Sequence, residues 1–80
     1  MATDSQIDEA VLAVTRKHWQ KVARVIVCAA DHLQGKLPEG DKGYELIGKR
    51  VESLVDSERV IAQGDVRLWR NSEIRLRDAD

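Results

Sequence analysis

Eighty residues allow one domain with a small core, and an apolar fraction of 42%, without a single Phe, fills such a core while exceeding what a disordered tail carries. A net charge of −1 and a pI near 6.1 give the molecule as a whole no attraction for nucleic acid or an anionic membrane, so any such role needs a local patch. One cysteine excludes an internal disulfide, and the longest apolar run, Val25 to Ala30, is far short of the roughly 20 residues of a membrane-spanning helix.

The acidic start at Asp4, Asp8 and Glu9 is unlike a secretory leader, so the expectation is a cytoplasmic chain with no membrane partner. Ser5-Gln6-Ile7-Asp8 fits a capping box and predicts a helix near 5–14, with Ile7, Val11 and Val14 as its apolar stripe. No Gly or Pro occurs between Ser5 and Gln34, which leaves one helix or two open over residues 5–33. The reading favours a break at Thr15, which is β-branched and can cap the turn Arg16-Lys17-His18. A second helix near 16–34 then buries Trp19, Val22, Ala23, Ile26, Ala30 and Leu33.

Gly35-Lys36-Leu37-Pro38-Glu39-Gly40 is the clearest punctuation, because both glycines relax the backbone and Pro38 cannot continue a helix. Leu37 is expected to pin this loop to the core, and Asp41 to cap the next helix. That helix, near 41–57, places Tyr44, Ile47, Val51, Leu54 and Val55 on one face and Glu45, Lys49, Arg50, Glu52, Asp56 and Glu58 on the other. After Glu58 the period changes from near four to two. Val60 and Ala62 alternate with Ile61 and Gln63; Gly64-Asp65 signals a turn; Val66 and Leu68 alternate with Arg67 and Trp69. Asn71-Ser72 is a second turn, and Ile74 and Leu76 alternate with Glu73, Arg75 and Arg77. Residues 59–77 thus predict a β-hairpin or short meander, of two or three strands.

Three helices followed by this β-element predict an α+β, winged-helix-like fold, a single domain over 1–80 with 1–4 and 78–80 fraying. Its core should include Val11, Trp19, Val22, Ile26, Leu33, Ile47, Val51, Leu54, Val60, Ile74 and Leu76.

Four stretches carry a resemblance: Trp19-Gln20-Lys21-Val22-Ala23-Arg24-Val25-Ile26, Arg50-Val51-Glu52-Ser53-Leu54-Val55, Gln63-Gly64-Asp65 and Ser72-Glu73-Ile74-Arg75-Leu76. As an ordered set the chain resembles a small, functionally uncharacterised bacterial domain family, met alone and at the C-terminus of longer proteins. The resemblance implies a compact helical domain with a terminal β-element, and it carries over no catalytic residue. This chain departs from the family pattern where a glycine usually ends the third helix, having Asp56-Ser57-Glu58-Arg59 there.

Enzymatic chemistry finds no constellation. Cys28 and His32 stand four apart, close enough on a helix to share a metal, with Asp31 beside them; two ligands without a CxxC or HExxH pattern read instead as a small buried hydrophobe and a surface histidine. Cys28 in mid-helix lacks the base or helix N-terminus that forms a thiolate. The glycines at 35, 40 and 43 lack the preceding strand of a phosphate loop. The expectation is a protein that is not an enzyme and needs no metal or cofactor.

Basic residues are more informative. Lys17, Lys21 and Arg24 share one face of the expected second helix, and Arg67, Arg70, Arg75 and Arg77 crowd the terminal hairpin beside Trp69. The third helix argues against base readout, since carboxylates outnumber cations from Asp41 to Glu58. The reading is a non-enzymatic winged-helix-like binding module that takes DNA weakly and without sequence preference through a basic wing. The alternative is a protein-interaction or homodimerisation module with no nucleic-acid role, in which Trp69, turned outward, is the hot spot.

Overall fold

In the computed structural model, which describes residues 2–77, the chain runs α1 (Asp4–Val14), β1 (Gln20–Lys21), α2 (Val22–His32), α3 (Asp41–Asp56), β2 (Val60–Gln63), a 3₁₀ turn (Trp69–Asn71) and β3 (Glu73–Leu76). Helix α1 has a capping box, set two residues earlier than Ser5. The Thr3 hydroxyl accepts from the Gln6 N–H at 3.1 Å, and the Gln6 side-chain oxygen accepts from the Thr3 N–H at 2.9 Å. The Ala2 N–H donates to the Lys36 carbonyl at 2.7 Å, so residues 2–4, expected to fray, are tied to the loop after α2. Residues 78–80, given the same expectation, lie outside the described residues.

Thr15 does break the helix, but as the end of α1 and not as the start of α2. Its buried hydroxyl donates to the Val11 carbonyl at 2.7 Å, and its own backbone is extended. Beyond it the main chain is recruited by β3: Gln20 lies opposite Ile74, Lys21 opposite Glu73, and the Leu76 N–H donates to the Arg16 carbonyl at 2.7 Å. The Gln20 amide secures the bend by accepting from the Arg16 N–H and donating to the Val14 carbonyl. The helix expected at 16–34 therefore begins only at Val22. Its buried face is Val22, Val25, Ile26 and Ala29, with Leu33 just beyond its end. Trp19, expected in the core, is 37% exposed, because it precedes the helix and pleat alternation turns Gln20 inward and Trp19 outward.

Gly40, with φ at 72°, occupies the N-cap position expected of Asp41, which becomes a first-turn residue of α3. Leu37 packs against the core as expected. Helix α3 buries Ile47, Gly48, Val51 and Leu54 and sends Arg50 across to α1. There Nε and Nη2 bind the two Asp8 carboxylate oxygens at 2.8 and 2.9 Å, with Asp4 at 3.5 Å. At the other end Glu58 adopts φ 63° at the position after the C-cap, where helices commonly place a glycine. Its N–H donates to Val55 at 3.0 Å and that of Arg59 to Leu54 at 2.9 Å, the paired bonds of a Schellman cap.

Strands β2 and β3 pair antiparallel from Val60 opposite Leu76 to Gln63 opposite Glu73, and the sheet order is β1-β3-β2. The strand expected over Val66–Trp69 is absent. The Asp65 carboxylate takes the Arg67 N–H at 3.0 Å, and the Leu68 N–H donates to Asp65 and the Asn71 N–H to Leu68, winding this segment into successive tight turns. The C-terminal region thus contributes two strands, and the third comes from the α1–α2 connection. Three helices and a small antiparallel sheet in this order make a winged-helix-like α+β domain, with residues 64–72 as the wing.

The remaining core positions named above are buried, except Leu76, which is half-buried at the sheet's end.

Candidate nucleic-acid interface

The four wing and strand arginines do not gather. Arg67 folds onto its own turn: its Nε and Nη2 donate to the two Asp65 carboxylate oxygens at 3.0 and 2.9 Å. These bonds, more than the Arg67 backbone N–H that Asp65 also accepts, hold the Asp65 carboxyl below its ordinary value, and they raise that of Arg67, to which Glu52 of α3 adds. Arg70 lies in the 3₁₀ turn, exposed and without an ion pair among the described residues. Arg77 follows β3 and lies 3.6 Å from the Glu58 carboxylate. Arg75, on the central strand, stands over the Trp19 ring with its guanidinium carbon 5.1 Å from the ring centroid.

Trp69 does not turn fully outward as the strand alternation has it. It is half-buried in the 3₁₀ turn and rests on Gly48 of α3, bordering a shallow cleft with Glu45, Lys49, Glu52 and Arg67. Neither tryptophan keeps the place expected of it, Trp19 inward by the helical period and Trp69 outward by the strand alternation, since β1 replaced the first turns of one helix and the wing's turns replaced one strand.

Pairing of β1 with β3 brings Lys21 and the Trp19 neighbourhood to Arg75, and the bond from the Leu76 N–H to the Arg16 carbonyl brings the start of the basic run beside the residue that precedes Arg77, whereas Arg67 is held in its own turn by Asp65. Lys17 lies in the connection after α1, Lys21 on β1 and Arg24 in the first turn of α2, so the three belong to three successive elements and not to one helix face. All are exposed, as are Arg16 and His18. None of Arg16, Lys17, Lys21 and Arg24 is in an ion pair among the described residues. From Arg16 to Arg24 there is no acidic residue, and Glu73, opposite Lys21, is bonded to Gln63 at 3.2 Å. With four cations in this stretch and a chain total of −1, everything else sums to −5. Arg16 and Trp19 lie in this patch and were not among the candidate residues; the signal was a basic run without acids around a tryptophan, hidden by reading it as a helix with Trp19 inward.

Helix α3 sets Lys42, Lys49 and Arg50 against Asp41, Glu45, Glu52 and Asp56, and Arg50 is already held by Asp8. A groove-reading helix of that charge repels phosphate. Cys28 is half-buried and His32 exposed, and among the described residues no three His, Cys, Asp or Glu side chains group as metal ligands. No described helix is long and apolar enough to cross a membrane. No family model matches the chain, and no curated protein or solved structure matches it either.

Proposed function

We propose that this domain is a cytoplasmic, non-enzymatic binding module that associates weakly and without sequence preference with nucleic acid. The observation that carries the reading is the run Arg16, Lys17, Lys21 and Arg24, which contains no acidic residue and no ion pair among the described residues, and which β1–β3 pairing joins to Arg75, with the Glu73 carboxylate opposite Lys21 at its edge. Whole-molecule charge gives no attraction, so binding is a property of this segregated patch. Phosphate contacts of this kind position a polyanion and carry no base information.

Neutralising about four phosphates implies that affinity falls on the order of a hundredfold between roughly 50 and 200 mM salt. The test is titration of unrelated nucleic acids at both salts while amide shifts are followed. Salt-sensitive shifts over residues 16–24 and 75 support the reading; shifts centred on α3 with one sequence preferred overturn it. Absence of shifts at low salt transfers the proposal to protein interaction, which Leu68, 55% exposed at the wing, favours. A contact centred on that leucine is nearly indifferent to salt.

A further inference from the structure

The proposed module leaves open which form of nucleic acid it takes, and Trp19 bears on that. We infer that the surface built on β1 is a binding site for single-stranded nucleic acid, with Trp19 as the stacking platform for an unpaired base and the surrounding cations as contacts for the flanking phosphates. This rests on the nucleic-acid reading and narrows it.

Trp19 keeps more than a third of its surface in solvent in a chain that has only two tryptophans and no Phe, and the core it was expected to fill closes without it. Arg75 fixes the ring from β3, and Gln20, next in sequence, is tied by its side chain to Arg16 and Val14. The platform is therefore preorganised, which reduces the ordering cost of binding. Lys21 leaves the same side of β1 as Trp19, two residues on, so the charge and the ring lie roughly 7 Å apart along the strand, close to one nucleotide's reach.

The cations also stand where stability alone would not put them. Lys21 is the N-cap of α2 and Arg24 lies in its first turn, which has no acidic residue and no side-chain cap; there the helix dipole favours negative charge. A stretch that sacrifices capping and exposes tryptophan is locally frustrated, and such frustration marks functional surface.

A duplex suits this surface poorly. Its bases are already stacked inside, beyond the reach of a side chain on a sheet face, while α3, the element that enters a groove in helix-turn-helix proteins, is acidic. An unpaired strand offers both phosphates and a bare base. Stacking on an aromatic side chain is sequence-tolerant and worth about five- to a hundredfold in affinity per base.

The full chain is titrated with a short oligothymidylate, a duplex of matched length and polyglutamate, following the Trp19 and Trp69 indole N–H signals separately. The expected result is single-strand binding at least about fivefold tighter than duplex at equal salt, with the Trp19 signal shifted and that of Trp69 unmoved. Trp19→Leu, checked for an intact amide spectrum, should abolish that margin. Lys17→Ser with Lys21→Ser should weaken both nucleic acids and lower the salt slope by about one to two while leaving the margin. Should Trp19→Leu not fold, Trp19→Phe replaces it, and a margin reduced but retained is then the expected result. Equal binding of duplex, equal binding of polyglutamate, or a margin unchanged in Trp19→Leu overturns the stacking site while leaving the electrostatic reading standing. Failure of every nucleic acid to bind at low salt overturns that reading itself.

Discussion

Trp69 lies across Gly48: a Cβ at residue 48 would stand 2.8 Å from ring carbon Cζ2. The absent side chain lets the wing close on α3. Two effects oppose each other in Gly48→Ala. Replacing a mid-helix glycine gains up to about 1 kcal/mol of helix propensity, while forcing the ring away costs roughly 1–3 kcal/mol. The clash should win, so Gly48→Ala is expected to lower stability in chemical denaturation. With Trp69→Ala in place the clash is gone and the same substitution should stabilise. A double-mutant cycle with no change of sign would show that the ring does not press on Gly48.

The helix spans of α1 and α3 were legible because Ile7 and Val11, and Ile47, Val51 and Leu54, keep one period over several turns, and all are buried. The start of α2 was not. Trp19 and Val22 fit a helical step, and nothing local says that Gln20 and Lys21 are claimed by a strand more than fifty residues away. In the wing, Val66 to Trp69 alternates as a strand does, but the Asp65 side chain captures the Arg67 N–H and bends the chain before pairing begins. At the site, residue types could be read and their grouping could not, since it depends on β1 meeting β3.

Leu54 of α3 is buried, and it belongs to the hydrophobic cluster to which all three helices, β2 and β3 contribute. Leu54→Ala should cost roughly 2–5 kcal/mol, by lost transfer and a residual cavity. For a domain of this size that is a large share of total stability. Urea unfolding should show the midpoint falling sharply; a change within error would mean the site collapses without a void.

Cys28 and His32 stand on one helix without a third ligand group among the described residues. Incubation with a chelator should leave the melting temperature unchanged, because a structural metal contributes folding energy that its removal would take away. A fall of several degrees would assign the pair to a site.

Glu58 closes α3 at φ 63°, a conformation that crowds any Cβ. Its Schellman bonds come from the backbone and do not need the glutamate side chain. That side chain offers an exposed pair with Arg77 at 3.6 Å, worth a few tenths of a kcal/mol at most. Relief of the left-handed strain is larger, about 1 kcal/mol, and is partly offset by the greater freedom of glycine in the unfolded chain. Glu58→Gly is therefore expected to be neutral to stabilising in thermal melts, and Glu58→Val destabilising. A clear loss in Glu58→Gly would mean that the Arg77 contact outweighs the strain.

Asp65 organises the wing through Arg67, and its titration is the direct readout. The guanidinium bonds first, and the Arg67 backbone N–H second, hold the carboxyl below its ordinary value of 3.8. Because the folded value is depressed, the pair contributes stability that is fully present above the unfolded carboxyl's range and is lost as pH falls through the folded midpoint. Carbon-detected titration of the Asp65 carboxyl should therefore give a midpoint below 3.8, rising toward it in Arg67→Gln. The rise should be incomplete, since residue 67 still donates its backbone N–H. The group is exposed, so added salt should shrink the part of the shift due to charge and leave the backbone part. A wild-type midpoint at or above the ordinary value would mean that Arg67 is not held in the turn, and its charge would then return to the wing as a phosphate contact.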